Sequence, residues 1–462
     1  MKLMTMHVLL ACMLFVGTQN GFSQETMSLT IEQSVAIALD KNPDIQIAEK
    51  QLKKAGAQVW ESYANLLPSV DGSINYQHAW DLQTNIVPNF LKSTFVQVGL
   101  PGAKDLPDYL EFSFGLENTL NYGMQLKQPL FLGGAGIAGV RIAHAAHYAS
   151  EQQLELKKQQ LVYNTVNAFY GCLLAQELVR VQEEALDQAE ANYQLVVKKY
   201  DAGSASGFDK MRAQVEVANL KPGLINARNN YQAALTGLRT VMGLPKDTQL
   251  KILGELSFEA DEYEGVQLEE FQNRAFVNRP ELMGLKAQKK IASNGVSIAR
   301  SELLPKIFFA TDYSFMEMRN DNKFRHPQAS KGFTSAISLQ MPIFQSFKRM
   351  KQYQQATLDY RITLDSEKQL RDGIIADVEI SYNKYLETRG KYTAAKESIQ
   401  LAEEALRLAN LTYEEGASTQ LDVMNSQLAL TRAKLNYASA LYEYQMARYG
   451  LRRATGTLKG VL

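Results

Sequence analysis

Apolar residues fall into two kinds of order along this chain, and the two kinds alternate twice. From Phe112 to Leu130 nearly every second residue is apolar: Phe112, Phe114, Leu116, Leu120, Tyr122, Met124, Leu126 and Leu130, with Ser113, Glu117, Asn121, Gln125 and Lys127 between them. An earlier stretch sets Val70, Ile74, Tyr76 and Trp80 against Asp71, Ser73, Asn75 and Gln77. Further on, Ile307, Phe309, Tyr313 and Phe315, then Phe333, Ile337, Leu339 and Met341, alternate in the same way. A period of two predicts strands with one apolar and one polar face, over about 68–82, 111–131, 305–317 and 332–344. A soluble sheet buried on one side gives the same alternation. These stretches, however, exceed the usual strand of ~5–6 residues, and aromatics crowd their apolar faces, as on lipid-facing barrel strands near headgroups. Even positions of 112–130 are therefore expected to face lipid and odd ones water.

The second order has a 3–4 spacing. Leu186, Ala189, Tyr193, Val196 and Tyr200 follow it, as do Ile399, Ala402, Leu406, Ala409 and Tyr413. No proline occurs from Gly136 to Tyr200, a span that as helix would reach roughly 100 Å. Coiled-coil helices with small residues at close contacts are the expectation. Each rod ends in a Gly-containing turn, DAGSASGFD or EEGASTQLD, followed by a return helix carrying Phe208, Met211, Val215 and Ala218, or Leu421, Met424 and Leu428. Pro222-Gly223 is expected to interrupt the first return helix alone.

The chain repeats itself. Pro43 with Pro280, Leu66 with Leu303 and Pro68 with Pro305 lie 237 positions apart. Pro129 with Pro342, Phe131 with Phe344, Tyr200 with Tyr413, Gly203 with Gly416, Asp209 with Asp422, Gln214 with Gln427 and Gly243 with Gly456 lie 213 apart. A 24-residue length change thus separates the two blocks, and such changes fall in surface loops. Residues 24–243 form one half and 267–457 the other, joined by a linker at 244–266 and followed by a short tail, 458–462. Asp81 to Leu110 is expected to be the longer loop. It is apolar for an exposed segment (Phe90, Leu91, Phe95, Val96, Leu100), which predicts packing over a barrel mouth or on neighbouring copies.

Composition narrows the class. Lys plus Arg and Asp plus Glu both number 49, so no basic excess favours nucleic acid. Lys2, the apolar run Val8 to Gly17, and Gly21 and Ser23 read as a signal peptide over 1–23. That run is too short to span a bilayer as a helix, and no other stretch is long and apolar enough. A membrane form must then use strands. Cys12 lies in LLAC, superficially an acylation site, but the apolar run continues as MLFVG. Cys172 is then left alone and reads as a buried structural thiol.

The strings ALDKNPDIQIAEKQL, LKQPLFLGGAGIAGVRIAHAA, YDAGSASGFDKMRAQ and YEEGASTQLDVMNSQLAL, in two copies and in order, resemble the TolC-like outer-membrane efflux protein family over the mature length. The resemblance implies an α+β membrane protein: a homotrimer with a 12-stranded β-barrel in outer-membrane lipid and a long α-helical tunnel in the periplasm of a Gram-negative bacterium. Counting agrees. Four strands cannot close a barrel, since the smallest have about eight. Three chains would supply twelve. The resemblance further implies passive conduction, with a periplasmic adaptor and an inner-membrane transporter as partners, the transporter choosing the cargo. Gly203, Ser204, Gly416 and Ala417 would form the adaptor-contact tip. Asp209, Asp422, Tyr413 and Asn425 would form a periplasmic gate, the alternative for Asp422 being that it simply caps its own helix. Asn425 stands where well-known members carry a second aspartate, and Ser418 where some carry a gate arginine, so the locking must differ in detail.

Other candidates read blandly. His144 and His147 share a helix face, without a cysteine or carboxylate within a turn to complete a metal site. Met316 and Met318 are candidates for soft-metal contact; taken as one on each face of a strand near a loop, they read as lipid contact or plug. No phosphate cradle, nucleophile elbow or paired-carboxylate site is present, so neither enzyme nor cofactor is expected. A non-pore periplasmic adaptor or coiled-coil scaffold is the alternative, but adaptors carry one helical hairpin framed by small β-domains, and this chain has two hairpins and two strand pairs. Asn75, Gln125 and Gln340 would face the lumen.

Overall fold

The computed structural model describes residues 27–113, 115–258, 263–325 and 329–458. The expected signal segment with Cys12, Phe114, and the tail beyond Leu458 lie outside the described residues. Two compact units emerge, and both repeats contribute to each. Of the described residues, one contains those up to Ile47, those of Leu156–Arg279 and those from Gly373 on; the other contains those of Ala48–Glu155 and Pro280–Asp372.

Each repeat opens on two helices broken at a proline: α1 (Ile31–Lys41) and α2 (Pro43–Ala64), then α6 (Leu268–Asn278) and α7 (Pro280–Ser301). A residue preceding proline is driven out of the helical region. Asn42 and Arg279 accordingly take extended backbones, with ψ of 128° and 121°. Each is anchored in the first unit: the Asn42 amide donates to the Val241 carbonyl at 2.8 Å, and buried Arg279 pairs with Asp377. A glycine closes each half against this joint. Gly243 and Gly456 both adopt φ of +70°. A Cβ on Gly243 would lie 2.9 Å from the Lys41 carbonyl oxygen, and one on Gly456 2.9 Å from the Asn278 carbonyl carbon. No side chain fits either place.

The linker is not loose. Its strand β6 (Leu250–Ile252) pairs in parallel with β1 (Met27–Leu29). Phe258 then stacks on Tyr392 and Tyr444, ring centroids 4.4 and 5.0 Å apart. Burying these rings ties the linker into the core of the first unit, beside fully buried Tyr385 and Phe271.

The second unit holds an antiparallel sheet in the order β2 (Ser69–His78), β5 (Asn118–Phe131), β7 (Lys306–Arg319), β8 (Ser330–Gln340). Opposed residues share a face. Ile74 opposes Tyr122, which opposes Phe315; Met124 opposes Tyr313, which opposes Phe333. Tyr122 stacks on Phe315 at 5.1 Å, and Phe315 meets Tyr313 edge-on at 4.9 Å. The opposite face carries Asn75, Asn121, Gln125, Asp312 and Thr334.

Four expectations need correcting here. The stretch 111–131 is not one strand. β4 (Tyr109–Ser113) pairs with β3 (Thr84–Pro88) in a separate two-stranded sheet, and Gly115, at φ +106°, turns the chain before β5. The even–odd rule therefore applies within β5 only, and it ends at the irregularity between Pro129 and Phe131. Second, Met316 and Met318 share a face, as residues two apart must. They oppose Asn121 and Thr119 on the polar side. Third, 81–110 is a folded insertion, containing β3, α3 (Phe90–Gln97) and a 3₁₀ turn at Ala103–Asp105, with Phe90, Leu91, Val96 and Leu100 exposed.

The fourth correction concerns the long helices. Their lengths match between halves: α4 (Ala135–Asp201) and α8 (Lys348–Glu414) have 67 residues each, α5 (Gly207–Val241) and α9 (Gln420–Ala454) have 35 each. α5 runs through Pro222 without a break. The proline is exposed; it forfeits the i→i−4 hydrogen bond and crowds the Ala218 carbonyl, a local cost that does not end the helix.

Gly243→Ala and Gly456→Ala should each lower stability by about 1–3 kcal/mol, because both the φ and the contact forbid a side chain. Gly390→Ala, in α8 with nothing near its added carbon, should raise it by ~0.5–1 kcal/mol. Urea unfolding midpoints of the three variants provide the check.

Candidate functional site

The two hairpin tips, both in the first unit, are built by the same local rules. α4 and α8 each end in a Schellman motif. Gly203 and Gly416 take φ of +75° and +79°. Their amides donate to the Tyr200 and Tyr413 carbonyls, and the next amides, of Ser204 and Ala417, reach back to Lys199 and Thr412 at 2.8 and 2.7 Å. All four predicted tip residues are exposed. The return helices then start with capping boxes. Ser206 and Asp209 cap α5 reciprocally, and Thr419 and Asp422 do so for α9. Each aspartate also accepts from its capping hydroxyl at 2.7 Å.

The aspartates therefore have a structural task at the tip. For Asp422, the hydrogen bonds from the Thr419 hydroxyl and backbone hold the carboxyl below its ordinary value of 3.8. The charge also sits favourably at a helix N-terminus. Asp422 and Asn425 are exposed, whereas Asp209 is half-buried. Ser418, where an arginine tie would sit, accepts from the Thr412 hydroxyl at 3.0 Å within its own turn.

The tips are tied to each other by two side chains that sequence reasoning missed. Lys199 Nζ donates to the Tyr413 carbonyl at 2.8 Å and lies 3.9 Å from the centre of the Tyr413 ring. In return, buried Gln420 donates its amide to the Asp209 carbonyl at 3.2 Å. Tyr413 itself is buried with Leu406, Val423 and Leu430. Burial and the Asp209 charge raise the pKa of its hydroxyl. The structure thus brings Tyr413, Asp209, Lys199 and Gln420 together. A signal for the missing pair was present in the repeat: at the 213-residue offset, Lys199 aligns with Thr412 and Gln420 with Gly207. The cross-ties stand where the halves differ.

The remaining helix surface is apolar in part. Phe208, Met211 and Val215 along α5, and Leu421 and Leu428 along α9, are exposed. The seam within the chain is made instead by Ala213, Val423 and Leu430. His144 meets the Tyr63 hydroxyl at 3.2 Å; contrary to the expectation that no carboxylate lies within a turn, His147 is 3.6 Å from Glu151, four residues on. Among the described residues no cluster of three or more His, Cys, Asp and Glu could hold a metal ion. Burial raises the Cys172 thiol to about 12, which leaves it unreactive.

A duplicated chain with a two-faced sheet and paired helical hairpins defines a class of outer-membrane channel protein, and comparison gives the same result. The family model described as "Outer membrane efflux protein" matches residues 35–244 and 272–457. The chain belongs to that family. It is 24% identical to the alkaline protease secretion protein AprF of Pseudomonas aeruginosa over 72% of this chain and 65% of AprF, just under two thirds of that relative. It is 22% identical to the probable outer membrane lipoprotein SilC of Salmonella typhimurium over 80% of this chain and 76% of SilC. The CmeC outer membrane channel of Campylobacter jejuni superposes with a TM-score of 0.74 at 18% identity, over 92% of this chain and 85% of CmeC. The chain has the fold of these channels.

Ser206→Ala and Thr419→Ala should each cost ~1 kcal/mol of local helix stability. The lowered Asp422 value sets the sign of the pH effect. The contribution of its carboxylate is present above the ordinary aspartate range and is lost as pH falls through the lower folded value. Hydrogen-exchange protection of the first amides of α9, taken relative to the intrinsic rate at each pH, should fall on acidification below about pH 4, and Asp422→Asn should make that protection independent of pH.

Proposed function

We propose that this protein is the outer-membrane exit duct of an export assembly, a tripartite efflux pump or a type I secretion system. Three copies would close a twelve-stranded barrel in the outer membrane and pack their long helices into a periplasmic tunnel. The observation that carries the reading is the four-stranded sheet, with an aromatic apolar face, a polar face, and β2 and β8 left as open edges. Open edges in hydrocarbon leave backbone groups unpaired, so a membrane sheet must close. AprF is by name a secretion protein, and CmeC an outer membrane channel; both fit a conduit. The exposed stripes Phe208–Met211–Val215 and Leu421–Leu428 fit helix packing between copies.

In this reading the tips meet a periplasmic adaptor through the turns at Gly203–Ser204 and Gly416–Ala417. An inner-membrane transporter drives and selects the cargo. The gate is held by the reciprocal ties of Lys199 to Tyr413 and Gln420 to Asp209, in place of an arginine at Ser418. Threefold symmetry makes exposed Asp422 a ring of three carboxylates. Unit charges ~8 Å apart repel by only about 0.5 kcal/mol in water-like surroundings, too little to force the tip open but enough to favour cations at the mouth. Neutral Asn425 one turn on keeps that preference modest.

The reading is tested on the purified protein. Detergent-extracted protein should run as a heat-modifiable trimer and conduct in planar bilayers. Tyr122→Arg should cost roughly 2–4 kcal/mol of assembly while Asn121→Arg costs little; equal effects would sink the face assignment. Reversal potentials should show a cation preference that falls in Asp422→Asn and falls further with Asp209→Asn. A soluble periplasmic protein without conductance would point to a scaffold instead.

A further inference from the structure

The apolar face of the sheet is not smooth. Gly72 stands on that face opposite Met124, and Ile74, Tyr122, Met124, Tyr313 and Phe315 rise around it, leaving a recess of about 530 Å³. The gap is due to the missing side chain. A Cβ on Gly72 would meet only the Gly123 carbonyl oxygen, at an ordinary 3.9 Å. Backbone crowding does not require glycine here, in contrast to Gly123, whose added carbon would lie 2.6 Å from the Tyr313 carbonyl oxygen.

One cation belongs to the same row. The register runs Ile74, Tyr122, Phe315, Lys331 across the four strands, so Lys331 shares the aromatic face and neighbours the recess through Phe315. It is exposed. Arg319, on the same face four residues further along β7, is already paired with Asp321 and Glu317. Lys331 makes no salt bridge among the described residues. A lysine on a lipid-facing surface is costly near the midplane but nearly free close to the interface, where its stem lies along apolar surface and its ammonium reaches the headgroups. Phe315 lies near the end of β7 remote from α7, and β8 begins beside it and leads back to α8. With the helices in the periplasm, Lys331 sits in the outer-leaflet half.

We propose that the Gly72 recess and Lys331 form a binding site for one phosphorylated glycolipid of the outer leaflet. An acyl chain fills the recess against the Tyr122–Phe315 stack, and a sugar phosphate pairs with Lys331. This rests on the membrane reading above. Charge complementarity selects an anionic lipid, and the position of Lys331 selects the leaflet that faces away from the helices. The occupant has one chain in an aromatic-walled slot and one anion at its rim, so its two contacts can be removed separately.

The test uses the full-length trimer in detergent, titrated with bisphosphorylated lipid A, dephosphorylated lipid A and phosphatidylglycerol, with bound lipid counted by native mass spectrometry. Wild type should prefer the bisphosphorylated form. Lys331→Gln should lose about fivefold of that preference, the worth of one lysine at an anionic surface, without losing the dephosphorylated form. Gly72→Val, which fits the backbone, should weaken both forms of lipid A. Equal or better retention of phosphatidylglycerol would overturn the glycolipid assignment. Variants that conduct and migrate as wild type yet hold lipid A unchanged would overturn the site alone. A wild-type protein that does not enter bilayers at all would overturn the membrane reading and the site with it.

Discussion

Everything in the sheet-bearing unit depends on one constraint: backbone amides and carbonyls must be hydrogen-bonded wherever water is absent. β5 and β7 satisfy it inside the chain, each paired along most of its length on both sides. β2 and β8 do not, because each has one partner. An aromatic face of this size would ordinarily be covered, yet Ile74, Met124, Tyr313, Phe333 and Ile337 are all exposed. Closure with other copies inside lipid, as proposed above, would satisfy the open edges and cover the exposed face together. Under that proposal, exposure that would be a defect in a soluble monomer is what a barrel stave requires.

Duplication supplies the rest of the architecture and also its limits. The proline-broken helix pairs, the glycines at positive φ behind them, the Schellman turns and the capping boxes recur because each is a local solution that a copied sequence carries with it. The contacts between the copies cannot recur in that way. Lys199 reaches across to Tyr413 and Gln420 reaches back to Asp209, and the equivalent positions, Thr412 and Gly207, lack the reach to do the same. Divergence at these two sites turned two equivalent hairpins into a pair that recognise each other. It also left Tyr200 exposed where its counterpart Tyr413 is buried.

The sequence by itself determined whatever depends on neighbours a few residues apart. Alternation marked the strands, 3–4 spacing marked the rods, Gly203 and Gly416 marked the turns that end them, and Asp209 and Asp422 were assigned to the tips through the family resemblance. The family membership was legible as well, because two ordered copies of the same strings leave little room for coincidence. Where local order misled, it did so for a physical reason. Alternation persists across a turn, so β4 and β5 looked like one strand although Gly115 separates them. Proline in a helix interior costs one hydrogen bond and crowds the carbonyl four residues back, but that cost is local, and α5 continues through Pro222.

Only the tertiary structure decided which distant groups meet. The order β2-β5-β7-β8 and its register put Lys331 in a row with Phe315, Tyr122 and Ile74, residues spread over more than 250 positions of chain. No pattern along the sequence encodes that row, because register is fixed by pairing across strands. The same holds for the ties at the tips and for the linker, whose Phe258 is held by rings from α8 and α9. Hydrophobic period states which face a residue occupies; what stands opposite it on that face is settled only when the chain has folded.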